Sequence, residues 1–480
     1  MGKNMTPKKR QKAVDVGLPE GFKDEMRALL GEEAESLFEA LCRDTEVSIR
    51  LNRRKPTCEP LFEEMEPVGW CRNGFYLPER PDFGHDPMLY AGAYYVQEAS
   101  STVYEQIAEK LVEKIIEQRG GNLSLNVLDL CAAPGGKSTA ILNALGDDDL
   151  LVSNEYDRKR AWILKENIEK WGSGNVIVTN NEASDFSKLR EKFDIIAVDA
   201  PCSGEGMMRR EPVARSQWSE NLVDKCSALQ RRIVTDILPA LKEGGYLIYS
   251  TCTFNRKENE ENAEFFAKEL GLEPVCLDLE GVEKAVKSLG GTALRFMPHK
   301  TRGEGLFVTV LRKGEACDAC EPATKIREDR KKGETSGPAT KIGEDRRKGG
   351  PDRRREDELQ IGDQVYGVQD GVREMVKTLQ TKGKNIRILS AGRPKAELKG
   401  KLKIPLSARV LVPGSEEEFP EVELTKEEAL KYLRRENLTL PPDSPTGYLS
   451  VCYQGKPLGL VKNLGNRANN LYPTEWKIRN

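Results

Sequence analysis

Five short apolar runs punctuate the middle of the chain: NVLDLCA (126–132), LLVSNE (150–155), NVIVTN (175–180), DIIAVDA (194–200) and GGYLIYST (244–251). Each is rich in Val, Ile and Leu and lacks polar alternation. Strands buried on both faces of a parallel sheet have this pattern. Helical stretches separate them, with SSTVYEQIAEKLVEKII (100–116) before the first run and ARSQWSENLVDKCSALQRRIVTDILPALK (214–242) before the fifth. The alternation predicts an α/β, Rossmann-like, doubly wound sheet. Residues 1–98 are less regular and read as a small α+β unit of their own.

The pattern fails at 321–358, EPATKIREDRKKGETSGPATKIGEDRRKGGPDRRREDE, where PATKIREDRKKGE recurs as PATKIGEDRRKGG. This stretch cannot bury enough apolar surface to offset its chain entropy, and one duplication without apolar positions does not make a solenoid. It predicts a flexible linker. The expected division is 1–98, a catalytic unit over 99–313, a charged linker over 314–358 and a C-terminal unit over 359–480.

Composition narrows the function classes. Lys and Arg total 75 against 77 Asp and Glu, a net charge of −2, so a nucleic-acid surface requires segregated charge. The eleven cysteines are scattered and no secretory signal precedes them, so reduced thiols and a cytoplasmic setting are expected. Two histidines, His85 and His299, leave little material for a His-rich metal site, and no metal is expected. No apolar run is long enough for a membrane span.

The first run leads straight into CAAPGGKSTAIL (131–142), a strand–loop–helix whose Gly135 and Gly136 let the backbone approach a ligand. Gly136-Lys137-Ser138 matches the end of a P-loop, with IIAVD (195–199) as its possible magnesium strand. The position that needs the first P-loop glycine holds Cys131, however. The competing ligand is S-adenosylmethionine. Glu155 lies 20 residues after Gly135 at the end of the second run, the spacing of a ribose-binding acid. The methyl donor is the favoured reading.

Two cysteines follow strand ends, Cys202 in VDAPCSGEG (198–206) and Cys252 in YSTCTFNRKENEE (249–261). Carboxyl ends of strands line the ligand crevice of an open α/β sheet. Either thiol alone would be read as structural. Together, in polar turns, they favour chemistry. A helix is expected to start at Asn255, with Glu258 as its capping partner and a field that lowers a nearby thiol pKa. Methylation of cytosine at carbon 5 needs such a pair. A thiolate adding to carbon 6 makes carbon 5 nucleophilic, a second group handles the carbon 5 proton, and an acid such as Asp199 stabilises the ring protonated at nitrogen 3.

NVLDLCAAPGGKS, DIIAVDAPCSGEGMMRREP and GGYLIYSTCTFNRKENEE resemble the Nop/Sun family of RNA 5-methylcytosine methyltransferases. RFMPHKTRGEGLFVTVLRK (295–313) resembles that domain's last strands. GLPEGFKDEMRALLGEEAESLFEAL (17–41), SIRLN (48–52) and GAYYVQEASS (92–101) resemble its N-terminal extension. ILSAGRPKAELKGKLKIPLSA (388–408) and GYLSVCYQGKPLGLVKN (447–463) resemble the C-terminal, PUA-like RNA-binding part of bacterial RsmF-type enzymes of 16S ribosomal RNA. The resemblance implies that Cys131, Ala132, Ala133, Pro134, Gly135, Gly136 and Lys137 hold S-adenosylmethionine, with Glu155 on the ribose. Glu182, or alternatively Asp185, would serve the adenine. It also implies Cys252 as nucleophile, Cys202 as release group, and Asp199 and Lys137 beside donor and target base. The implied partner is 16S rRNA, bound by a monomer; another RNA such as tRNA is the alternative substrate. The alternatives of another class are a P-loop NTPase, opposed by Cys131 and Glu155, and a non-catalytic RNA binder, opposed by the cysteine pair.

Residues 382–409 carry nine basic residues and the single acid Glu397, interleaved with apolar positions, and read as a phosphate-tracking surface to which Lys8, Lys9 and Arg10 add weakly. Cys317 and Cys320 form a lone CxxC without a second pair, and His299 reads as structural rather than substrate-facing.

Overall fold

The computed structural model describes residues 17–58, 60–121, 124–314, 357–383, 385–414 and 419–479. The five apolar runs form strands β1 (Asn126–Asp129), β2 (Leu150–Asn154), β3 (Val176–Thr179), β4 (Phe193–Asp199) and β5 (Leu241–Thr251). They lie side by side in the order β5-β4-β1-β2-β3, every neighbour parallel. Chain direction across the sheet reverses between β1 and β4, which opens a crevice at their carboxyl ends. Beyond β5 the antiparallel strand Leu306–Lys313 extends the sheet, paired in turn with Ala293–Phe296 and Leu272–Val275.

Successive residues of each strand enter opposite layers, so both faces need cover. Val127, Leu151, Val178, Ile195 and Ile248 pack with Ile107, Leu111, Ile141 and Leu164. These come from helices α1 (Val103–Arg119), α2 (Gly136–Ala144) and α3 (Arg158–Trp171). Leu128, Val152, Ile177, Ile196 and Leu247 pack on the other face with Val234, Ile237 and Phe266. Val234 and Ile237 belong to α4 (Glu220–Ile237). The long helix expected over 214–242 is three pieces. A short helix Pro212–Gln217 ends where Trp218 turns extended, Ser219 caps α4 by accepting from the Leu222 amide, and a single 3-10 turn spans Leu238–Ala240. Ser219 offers its hydroxyl to the helix start, a local signal the apolar periodicity hides.

The N-terminal unit has helices Glu20–Leu30 and Glu33–Leu41 beside a four-stranded sheet. The C-terminal part differs from the expected single unit. Strand Ile388–Ala391 pairs antiparallel with β3 and becomes the edge of the catalytic sheet. Helix Asp370–Lys382 buries Val372, Met375, Val376 and Leu379 in the same core layer as Ile177 and Phe186. The strand Asp357–Ile361 also begins inside the stretch expected to be linker. The later portion packs in a separate core, built on a sheet of Glu421–Glu423, Gly447–Tyr453, Lys456–Asn463 and Ala468–Asn470 and on helix Lys426–Leu433, which also takes in Ala91 of the N-terminal unit and Ala408 and Leu411. The duplicated unit, Cys317, Cys320, Lys8, Lys9 and Arg10 lie outside the described residues. Among those described, no helix is long and apolar enough to cross a membrane, and no group of three or more His, Cys, Asp or Glu side chains could hold a metal.

Candidate active site

The crevice between β1 and β4 collects the chemistry. After β1 the Leu130 amide donates to Ala197 O and the Ala132 amide to Asn154 O, which pins the loop to its neighbours at both ends. Gly135 takes φ +116°, a region other residues avoid, and caps α2. Three side chains fasten the loop from outside. Arg160 donates to Ala133 O at 2.7 Å, Asn167 to Pro134 O at 2.8 Å and Thr139 to Gly135 O at 2.8 Å. From the N-terminal unit the fully buried Arg50 reaches across. Its guanidinium donates to Gly136 O and Thr139 O at 3.2 Å and to Thr139 Oγ1 at 2.5 Å.

The donor set suits a cationic ligand with ribose hydroxyls. Asp129, at the end of β1, is buried and takes the Ser138 hydroxyl on one oxygen, while its other oxygen has no partner. Burial, against the Ser138 hydrogen bond, pushes its pKa up to about 7, with the Asp199 and Glu155 charges adding to the rise. An unsatisfied buried carboxylate oxygen is costly and marks a place where a ligand donor fits. Glu155 is buried at the end of β2. It accepts from the Asp157 amide at 2.8 Å and lies 3.4 Å from Arg160, and its carboxylate lone pairs exceed these contacts. Burial pushes the Cys131 thiol well up, so it lines the loop as a neutral group. Glu182 is exposed and forms a reciprocal cap with Asp185. Asp185 also takes a hydrogen bond from Asn181, which ties it into its turn.

Across the crevice Lys137 Nζ donates to Asp199 Oδ2 at 2.7 Å, and Ser250 Oγ donates to Asp199 Oδ1 at 2.7 Å. Tyr104, fully buried, meets the same Ser250 hydroxyl at 2.8 Å. Burial works against the Lys137 charge, but Asp199 outweighs it and the lysine pKa is raised. Lys137 and Asp199 thus form an ion pair across the crevice.

Cys202 and Cys252 are brought together, Sγ to Sγ 3.3 Å, and both are half-buried. Two carboxylates cross-brace their loops. Glu205, in the Cys202 loop, accepts the Phe254 and Asn255 amides of the Cys252 loop at 2.6 and 3.0 Å, and Trp218 Nε1 at 3.0 Å. Glu258, in the Cys252 loop, accepts the Ser203 amide at 3.0 Å and Gln230 at 2.7 Å. Gly206 donates to Cys252 O at 2.8 Å, and a Cβ there would lie 2.8 Å from that oxygen. Asn255 and Glu258 do pair as expected, the Glu258 amide donating to Asn255 Oδ1 at 2.9 Å and Asn255 Nδ2 to Glu258 Oε1 at 2.8 Å, but they enclose a turn, and the helix starts later, at Glu260–Glu269. The expected lowering of a thiol pKa also fails for Cys202. Its hydrogen bond to Cys252 and its burial push it well up, so it rests as a thiol.

Glu205, Ser250, Tyr104, Arg160, Asn167 and Arg50 escaped the sequence reading. For Glu205 a signal existed, an acid three residues after Cys202, but its partners are 49 and 50 residues away. His299 lies in none of this. Its buried ring is 3.6 Å from Glu33 Oε2, under the N-terminal helices.

A parallel sheet with a glycine loop after β1, an acid after β2 and paired thiols after β4 and β5 defines a methyltransferase-type Rossmann domain. Family models agree along the chain. Residues 18–99 match the N-terminal domain of 16S rRNA methyltransferase RsmF, 120–312 match 16S rRNA methyltransferase RsmB/F, and 419–478 match the methyltransferase RsmF PUA domain. The ribosomal RNA small subunit methyltransferase F of Cronobacter sakazakii is 30% identical, covering 96% of each chain, and that of Shewanella loihica is 30% identical over 89% of this chain and 88% of its own. A methyltransferase homologue from Pyrococcus horikoshii, solved as a crystal structure, is 26% identical with a TM-score of 0.52, covering 62% of this chain and 96% of that one. The chain belongs to the RsmF family of 16S rRNA methyltransferases.

Proposed function

We propose that the protein transfers the methyl group of S-adenosylmethionine to carbon 5 of cytosine in 16S ribosomal RNA, acting as a monomer in the cytoplasm. The observation that carries this reading is the pair of thiols 3.3 Å apart beside Asp199 and Lys137. The loop 131–137, Asp129 and Glu155 would hold the donor, with Glu182 toward the adenine. The bound donor supplies an electrophilic methyl group. Cys252 attacks carbon 6 with a sulfur electron pair while its thiol proton ends on ring nitrogen 3, where Asp199 stabilises the protonated ring. Carbon 5 then takes the methyl. Cys202 first gives its resting proton to solvent; its raised pKa makes the resulting thiolate a strong acceptor for the carbon 5 proton. The carbon 5–hydrogen pair becomes the ring double bond, the carbon 6–sulfur pair returns to Cys252, and the nitrogen 3 proton goes back to that sulfur. The net products are methylcytosine, a neutral thioether and one proton.

The labour divides along the chain. Residues 1–98 and 99–313 together build the donor site, residues 370–391 complete its sheet and core beside β3, and the later C-terminal unit supplies RNA affinity. The test uses full-length protein, labelled donor and 16S rRNA. Cys252→Ala abolishes methylation and forms no adduct, whereas Cys202→Ala accumulates a protein–RNA complex that survives denaturing gels. Two weakened but active proteins without any adduct would overturn the assignment. An adduct in Cys252→Ala alone would reverse the two roles.

A further inference from the structure

We propose that the amino-terminal half of α3 is a docking surface for single-stranded RNA, on which an unpaired base of the substrate stacks on Trp162. This rests on the RNA reading above and adds a contact outside the donor loop and the cysteine pair. Large exposed apolar side chains are few among the described residues, and three fall within eight positions: Tyr156, Trp162 and Ile163, at 69%, 47% and 49% exposure. The interior-facing Ala161, Leu164 and Ile168 already bury α3 against the sheet, and of the outer residues Trp162 meets only the Lys165 ammonium, 5.6 Å from its ring centre, while the ring stays 47% exposed.

Charge identifies the occupant. The first turn of α3 carries no acid and reads Arg158-Lys159-Arg160. Cations at a helix start oppose its dipole, so helix stability does not explain them. Arg160 holds the donor loop, while Arg158 and Lys159 are exposed. The exposed Arg387 joins them from the C-terminal part. Asn180 links its carbonyl, at 3.0 Å, to that of Tyr156, at 2.9 Å. Aromatic faces interleaved with cations suit the bases and phosphates of an unpaired strand, which satisfies ring and charge together.

Position agrees with the chemistry. Tyr156 follows Glu155 at the rim of the donor site. Twelve residues beyond the helix start at Arg158, about 18 Å along α3, Lys170 lies 5.1 Å from the Trp476 ring of the C-terminal unit. The outer face of α3 is thus the bridge between that unit and the crevice.

The test measures binding of full-length protein to transcribed 16S rRNA at two salt concentrations, together with donor binding and methyl transfer. Trp162→Ala is expected to weaken RNA binding by roughly tenfold, with Trp162→Phe recovering most of it. Lys159→Glu is expected to weaken binding and flatten the salt dependence. Donor affinity stays unchanged in all three. Wild-type RNA affinity in Trp162→Ala and Lys159→Glu would overturn this surface while leaving the methyltransferase reading intact, as would a changed oligomeric state with unchanged RNA affinity, which gives the face to a second copy. Failure of the wild type to methylate RNA would overturn the underlying reading instead.

Discussion

Glu205 shows how much of this site depends on single buried atoms. Its two oxygens satisfy the Phe254 and Asn255 amides, the Asn255 side chain and Trp218 Nε1. Glu205→Gln replaces an acceptor by a donor that faces other donors. The expected loss is about 1–3 kcal/mol of stability, with kcat falling more than donor affinity because the brace aligns Cys252. Thermal melts and initial rates with calorimetry on the same samples check this. Nearby, Glu25 is pushed up to about 7 by burial and by the charges of Glu205, Glu258 and Glu220. The folded state therefore holds its proton more tightly than the unfolded chain does. That contribution to stability is fully present below pH 4.5 and is lost as pH rises through about 7. Glu25→Gln should leave the melting temperature at pH 4 close to wild type and raise it at pH 8. An equal gain at both pH values would mean that packing, and not charge, is responsible.

At the scale of elements, legibility followed locality. The runs at 150–155 and 194–200 emerged as β2 and β4 nearly to the residue, because strands buried on both faces are apolar throughout. Asn255 and Glu258 form the expected local pair, yet the helix starts only at Glu260, because Glu205 takes the Asn255 amide and the Glu258 carboxylate takes the amide of Ser203, 55 residues away. Arg50 was hidden for the same reason. It sits in VSIRL (Val47–Leu51), a strand of the N-terminal unit, yet its partners are 86 and 89 residues distant. Because its planar guanidinium reaches Gly136, Thr139 and Gln97 at once, lysine is a poor substitute. Arg50→Lys should weaken donor binding by about tenfold, the value of roughly one charge-assisted bond, and Thr139→Val should weaken it less. Donor titration by calorimetry decides this, and wild-type affinity in Arg50→Lys would make the arginine a fold element only.

For the whole molecule, the charged stretch misdirects attention, since its composition suggests that the C-terminal part is dispensable to the catalytic sheet. Strand Ile388–Ala391 and helix Asp370–Lys382 instead complete that sheet beside β3. Nothing in ILSAG or in the helix's apolar stripe names β3 as the partner, because edge pairing is set by tertiary contact. A chain cut at residue 330 would expose the β3 edge and the apolar layer around Ile177 and Phe186, which favours aggregation. A chain cut at residue 414 keeps that edge covered and removes only the later unit. The second truncation should therefore bind S-adenosylmethionine within about twofold of the full chain while losing RNA affinity and part of its salt dependence. The first should melt earlier or aggregate, and bind the donor poorly. If the cut at 330 gives a stable, donor-binding protein, the strand pairing with β3 is an ornament of the sheet; if the cut at 414 leaves RNA affinity whole, the RNA contact lies on α3 and the strands before residue 405.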